Sequence, residues 1–370
     1  MGNLAGEVVY AKDRDLRYRL SADALAMARR LGDPRTLAQT LVARIVAVWG
    51  PASVQDRLAA TEELLDLATR LDDPVLVCPG CWHRFVAAME AGEVAIADRC
   101  LDKAEQLADD LGQPTMRWLT MILRANRLLS VGLIKESEHV AAQAFELGRS
   151  AGHPDAFLYY GIHVFNVRFE TGNLSDIAAD VIRIADTNPG VLSIRATLAL
   201  LYSETGELEK ARTAFESVVE ALDDVPQEAS WPRAATQAAM TCARLQDRNR
   251  AAVLLDLLRP YSNQMVCTGL SWAGSFDHYI GVLVAVLGHL DEAEAKLAEA
   301  ESAHARVPAP AWLARSRLER ARVLLSRRDA GDLERARGLL NEVAGAAREY
   351  GLGAVERSAS GLLGRMGYQG

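Results

Sequence analysis

The residues with the strongest claim on chemistry are Cys78-Pro79-Gly80-Cys81, with His83 and Cys100 close behind. A Cys-x-x-Cys turn has the spacing of a redox pair, or of half a zinc site awaiting a second pair of ligands. The surroundings fit neither. Redox chemistry of that kind belongs to a βαβ unit, and His83 and Cys100 do not stand at a standard ligand spacing. The segment reads as a Pro-Gly turn entering a helix, with two small buried thiols. No metal is expected; Cys78, Cys81, His83 and Cys100 are the nearest approach to a site.

Other catalytic arrangements are missing. Glu90 and Glu93 with His83 do not make His-Glu-x-x-His, and no Gly-x-Ser-x-Gly elbow or phosphate-cradling Gly-x-x-x-x-Gly-Lys-Ser/Thr loop occurs. Acidic pairs such as Asp109-Asp110 and Asp223-Asp224 look like solvated charge, and the 7 histidines are scattered. Neither an enzyme nor a cofactor is expected. An enzyme built on a helical-repeat pocket is kept as an alternative; it would need a water-excluded pocket with perturbed carboxylates near Trp231 or Trp272.

The aromatic residues suggest recognition instead. Trp82, Trp118, Tyr159, Tyr160, Trp231, Trp272, Tyr279 and Trp312 recur along the chain, accompanied by Arg117, His163, Arg195 and His278. Aromatic and Arg side chains are the usual anchors of binding surfaces. The candidate binding set is Trp82, Arg117, Trp118, Tyr159, His163, Arg195, Trp231, Trp272, His278 and Trp312. Two readings stay open: a ligand groove, or wedges that pack one helix against the next.

What must position these residues is a repeat. Leu31-Gly32-Asp33-Pro34 returns as Leu71-Asp72-Asp73-Pro74, Leu111-Gly112-Gln113-Pro114 and Ala151-Gly152-His153-Pro154, 40 residues apart each time. A fixed period of that size marks a stacked array whose units bury apolar faces only against neighbours. A second mark lies inside each unit: Gly50, Gly92, Gly132, Gly172, Gly206, Gly288 and Gly331, with Asp247 in that place once. Glycine there would close a helix through positive φ.

Each unit therefore reads as helix A, tight turn, helix B and Pro-marked turn. The A helices are expected at 36–49, 75–91, 115–131, 155–171, 190–205, 231–246, 270–287 and 311–328, carrying the aromatic set. The B helices are expected at 54–70, 94–110, 134–150, 175–187, 207–222, 248–260, 290–306 and 332–350. Residues 8–30 look like an unpaired capping helix and 354–366 like a short end cap. The expected fold is all-α, a right-handed superhelical solenoid of about eight tetratricopeptide-like (TPR-like) pairs plus caps. It forms one array over 1–370, with a cap over 1–34, repeats over 35–350 and a cap and tail over 351–370. The rhythm breaks at Asp186-Thr187-Asn188-Pro189-Gly190 and between Pro226 and Pro232, where a bend or an inserted contact is expected.

Composition agrees. Of 370 residues, 50% are hydrophobic, so a packed core is expected throughout. With 41 basic and 49 acidic residues the net charge is −8, which argues against direct nucleic-acid binding. The densest basic stretch, Arg315 to Arg328, reads mainly as a solvated helix face. No apolar run is long enough to cross a membrane and the N-terminus lacks a secretory pattern, so a cytoplasmic setting is expected. The 5 cysteines agree with a reducing compartment.

Several runs are similar to a known family. They are Arg29-Arg30-Leu31-Gly32-Asp33-Pro34 with Leu37-Ala38-Gln39 and Trp49-Gly50-Pro51, Arg259-Pro260-Tyr261, Leu287-Gly288-His289-Leu290-Asp291-Glu292-Ala293-Glu294-Ala295, and Ala311-Trp312-Leu313-Ala314-Arg315 followed by Arg317-Leu318-Glu319. Together they resemble the C-terminal tetratricopeptide-like sensor arm of large actinobacterial signalling ATPases, LuxR-type regulators and cyclase-linked proteins, over roughly residues 20–350. The resemblance implies a non-catalytic regulatory module, an excised arm or a free-standing relative. Such a module would bind a small-molecule effector, or a protein or peptide partner, on its concave face and answer to an attached or separate ATPase. A free-standing protein–protein scaffold is the alternative.

Overall fold

The computed structural model describes residues 14–222 and 229–367. Among these residues it is a succession of 18 α-helices interrupted by a single two-stranded hairpin. Helix α1 (Arg14–Leu31) leads. The pairs follow as α2 and α3 (Pro34–Ala47, Val54–Arg70), α4 and α5 (Pro74–Ala91, Val94–Leu111), α6 and α7 (Pro114–Ser130, Ile134–Ser150), and α8 and α9 (Ala156–Thr171, Ala178–Thr187). Next come α10 and α11 (Leu192–Thr205, Leu208–Leu222) and α12 and α13 (Trp231–Leu245, Arg248–Leu258). The strands β1 (Met265–Cys267) and β2 (Trp272–Ser275) intervene. The chain ends with α14 and α15 (Phe276–Leu287, Leu290–Arg306), α16 and α17 (Pro310–Arg327, Asp332–Tyr350) and α18 (Gly353–Gly367). It is an all-α solenoid of TPR-like helix pairs.

The repeated motif works as a helix-to-helix hinge. Its second residue is left-handed in all four copies: Gly32 at φ 72°, Asp72 at 49°, Gly112 at 62° and Gly152 at 75°. In the first two copies the third residue then caps the next helix with its side chain, which Gln113 of the third copy does not. Asp33 accepts from Thr36 N–H, and Asp73 from Val75 and Leu76 N–H. Proline occupies the first helical turn, where its missing N–H costs nothing. The fourth copy departs: Pro154 lies in a turn ahead of α8, which starts at Ala156.

Three turn expectations are corrected. Gly50 is extended, at φ 174°, and leads into a 3-10 turn. The left-handed residue between α12 and α13 is Gln246, at φ 53°, while Asp247 caps α13 by accepting from Arg250 N–H. Residues 174–177 form a 3-10 turn before α9. Residues 226–228 of the turn expected between Pro226 and Pro232, the pair Asp223-Asp224, residues 1–13 and residues 368–370 lie outside the described residues.

Small residues let the helices approach. Ala38, Ala97, Ala104, Ala196, Ala238 and Ala293 are fully buried. Between units, an arginine on the A helix reaches back to carboxylates on the preceding B helix. Arg124 holds Glu105 at 2.7 Å, Arg127 holds Asp98 at 2.7 Å, Arg168 holds Glu138 at 3.0 Å and Arg317 holds Glu301 at 2.7 Å. This overturns the reading of Arg315 to Arg328 as a mainly solvated face. Arg315, Arg317, Arg320, Arg322 and Arg327 all pair with carboxylates.

The array also curls onto itself. Arg315 on α16 meets Glu170 on α8, and Arg357 on α18 donates to the Gly172 carbonyl at 2.7 Å. Glycine is required where the turns touch: a Cβ on Gly172 would lie 2.5 Å from Ala354 N, and one on Gly132 2.5 Å from Tyr350 Cδ1.

The hairpin is the largest departure from expectation. Residues 270–275, expected as the start of an A helix, instead form the hairpin loop and the strand Trp272–Ser275, so Trp272 lies on β2. The strands run antiparallel, pairing Met265 with Ser275 and Cys267 with Trp272. Thr268 N–H donates to the Ser271 carbonyl to close the loop, and Asn126 on α6 donates to the Gly269 carbonyl at 3.1 Å. Tyr279 donates to the Ala273 carbonyl at 2.6 Å. The hairpin thus reaches helices far back along the chain and fills space that an open array would leave as groove.

Candidate ligand-binding clefts

The thiol segment is not a turn. Helix α4 runs through Pro79 from Pro74 to Ala91, and Cys78, Cys81 and Cys100 are all buried. Burial pushes the Cys78 thiol up to about 11. Cys100 hydrogen-bonds Cys81, which raises the Cys81 thiol and lowers that of Cys100. His83 stands edge-on to Trp49 at 5.7 Å, and burial beside Arg57 lowers it to about 4. Among the described residues, no group of three or more His, Cys, Asp or Glu side chains is placed to hold a metal ion.

The candidate binding residues separate. Trp118 is buried, stacked between His153 at 4.3 Å and Tyr159 at 5.4 Å. His163 is buried against the Ser137 hydroxyl at 3.0 Å, and its pKa falls to about 4 through burial. Trp231 is buried and donates to the Leu222 carbonyl at 3.3 Å; Trp312 is buried too. Trp82 is half-buried and donates to Thr120 at 2.7 Å, and Arg195 donates to the Ser217 carbonyl at 3.1 Å. Arg117 is half exposed and pairs with Asp109 at 3.0 Å.

Three of the set do converge. His278, Trp312 and Trp272 surround His304, a residue the sequence reading passed over. The Ser275 N–H donates to His304 Nε2 at 2.8 Å, so the His304 proton sits on Nδ1. Nδ1 faces Ser316 Oγ at 3.1 Å, and Ser316 in turn faces His278 Nδ1 at 2.9 Å. One direction satisfies the chain: His304 donates to Ser316 and Ser316 to His278, leaving the His278 proton on Nε2. Burial lowers both histidines, His304 to about 3. Two neutral rings thereby bolt β2, α14 and α16 together.

Two clefts open between the helices, lined mostly by A helices with Leu290 and Leu297 of α15 in the larger and Val181 and Ile184 of α9 in the smaller. The larger, about 530 Å³, is lined by α10, α12, α14, α16 and α18. Met240, Val282, Val286 and Leu318 form its apolar strip. Its polar wall carries Arg244 on Glu204 at 2.9 Å and Arg322 on Glu319 at 2.6 Å, with the exposed Arg365 beyond them. Of the sequence-predicted set, His278 alone lines it.

The smaller cleft, about 300 Å³, lies between α8, α9 and α10 and is bounded by the hairpin loop and Arg233 of α12. Its lining is largely aliphatic, and no candidate from the sequence reading touches it. A signal was present: Leu158, Gly161, Ile162 and Phe165 fall at i, i+3, i+4 and i+7 along one face of α8.

Fold and clefts together define a TPR-like helical-repeat array with two binding-sized cavities between its helices. No protein-family model matches the chain, and no curated protein matches it. Solved structures that resemble it include two helical-repeat proteins. The crystal structure of a Rap protein complexed with Competence and Sporulation Factor does so at 12% identity and a TM-score of 0.38, over 100% of this chain and 96% of that one. A circular tandem repeat protein with novel repeat topology and enhanced subunit contact surfaces does so at 14% identity and a TM-score of 0.17, over 99% of this chain and 93% of that one. Among the described residues, no helix is long and apolar enough to cross a membrane.

Proposed function

We propose that the protein is a non-catalytic binding array whose larger cleft accepts a short amphipathic segment of a partner protein or a peptide. One observation carries the reading: the alternate helices α10, α12, α14, α16 and α18 all contribute to one cleft of about 530 Å³, with an apolar strip beside charged residues. A segment with one or two apolar anchors and an acidic flank fits it, the anchors on Val282 and Leu318 and the flank toward Arg365. Helix-in-groove recognition is built from such parts.

A regulatory role follows from the curl. The cleft is lined by α10 at one end and α18 at the other, so an occupant that prefers one spacing shifts the balance between more and less closed arrays. As the arm of a signalling ATPase the array would pass that change to its nucleotide-binding module; as a free-standing scaffold it would only hold the partner. The enzymatic alternative draws little support. The carboxylate raised by burial, Glu90 at about 7, is held by Arg57, and the gap beside it has no room for water.

A random-peptide library panned against the wild-type chain and Met240→Arg tests the proposal. Peptides enriched on the wild type and lost on the variant are expected. Absence of enrichment, or equal enrichment on both, would overturn it.

A further inference from the structure

The smaller cleft holds a charge without a counter-charge. Arg233 donates to Asn166 Oδ1 at 2.6 Å, and no described carboxylate forms an ion pair with it. The neighbouring acid, Glu170, is already taken by Arg315 at 3.0 Å. Burial lowers the Arg233 guanidinium from its ordinary value, with the nearby Glu170 carboxylate acting against that. Arg233 is half-buried, and a cation at a cleft wall with no ion-pair partner of its own leaves a place for an anion.

Asn166 makes the same point independently. Its contact with Arg233 identifies Oδ1 as the acceptor, so Nδ2 is the free donor. The residue is 6% exposed and lines the cleft, and its Nδ2 is buried just behind the cleft surface with no hydrogen-bond partner. A guanidinium and an amide N–H side by side suit the two oxygens of a carboxylate. A phosphate would bring a second negative charge that nothing here offsets.

The rest of the cleft specifies what the carboxylate is attached to. Ile162, Phe165, Val181, Ile184, Val191 and Ile194 form the walls, and Arg233 is the single charged residue lining it. Its volume of about 300 Å³ is at the small end for ligand sites. We propose that this cleft binds a medium-chain aliphatic carboxylate, its tail among those side chains and its head on Arg233 and Asn166.

Calorimetric titration of the full chain at pH 7 with decanoate and with decanol, both below their aggregation concentrations, tests this. Saturable one-to-one binding of decanoate is expected, with decanol about tenfold weaker for lack of the charge-assisted contact. Arg233→Gln should weaken decanoate about tenfold and leave decanol nearly unchanged, and Ile194→Trp should remove both. Arg233→Lys, which keeps the charge, should recover part of the affinity and guards against a loss caused by misfolding. Equal affinity for decanoate and decanol, binding that survives Ile194→Trp, or no saturable binding would each overturn the proposal. Met240→Arg, in the other cleft, should leave decanoate binding intact, so the two readings fail separately.

Discussion

Arg315 and Glu170 stand 145 residues apart in sequence and 3.0 Å apart in space, each side chain about nine-tenths buried. The same guanidinium lies 4.0 Å over the Phe169 ring and donates to the Phe169 carbonyl. This contact holds α16 against α8 and closes the array between the two clefts. Removing one partner strands the other charge, so Arg315→Ala should lose about 3–5 kcal/mol in urea unfolding. Small-angle scattering should show a larger radius of gyration. Leucine at both positions should recover much of the stability; equal loss in the double variant would show that the pair is incidental.

The buried histidines predict acid sensitivity. His304 and His163, lowered to about 3 and 4, stay neutral in the folded chain at pH values where unfolded histidine, near 6.5, is protonated. The unfolded state therefore binds more protons in that window. The stabilisation is full above pH 6.5 and is lost as pH falls toward 3, by about 2 kcal/mol per histidine at pH 4.5. Glu90, raised to about 7, acts the other way, favouring the folded state at the acid side of pH 7, and offsets part of the loss. Unfolding free energies measured from pH 7 to 4.5 should fall with a shallower slope in His304→Gln. An unchanged slope would remove His304 from the account.

Two glycines inside helices should respond to alanine with opposite signs. At Gly148 a Cβ would sit 2.5 Å from Trp118 Nε1, and that ring is fixed by its two stacking partners. Overpacking of about 1–3 kcal/mol should outweigh the gain in helix propensity of about 1 kcal/mol. At Gly345, exposed on α17 with nothing within 4 Å, the propensity gain stands alone and should stabilise by about 0.5–1 kcal/mol. Paired thermal melts of the two variants decide it.

Trp231 and Trp312 should behave as core. Alanine at Trp231, 1% exposed, should destabilise by about 3–5 kcal/mol. Met240→Arg, at a half-buried position on the cleft wall, should lose peptide binding with a far smaller change in stability. A Trp231→Ala chain that kept its melting temperature would contradict the packing reading.

How much of this was legible in the sequence follows from what each feature depends on. The helix pairs, their 40-residue period and most of their ends rest on neighbouring residues: a left-handed hinge, an Asp cap, a proline and a 3.6-residue apolar stripe. Helix α17 falls at 332–350, as the pattern implies, because every signal for it lies within or beside those residues. The aromatic residues were visible too, but burial is settled by distant helices. Trp118 and Trp231 wedge between units, and Trp272 sits on a strand that the helical rhythm concealed.

The binding clefts were decided by tertiary structure; the apolar stripe on α8 marked one wall of the smaller cleft and nothing of what closes it. Arg233 is one of many arginines until the fold leaves it without a carboxylate while Arg315 takes Glu170. Periodicity specifies how each unit meets the next. It carries no information on how far the array curls over several units, and that curl sets which charges are paired and where a cavity remains.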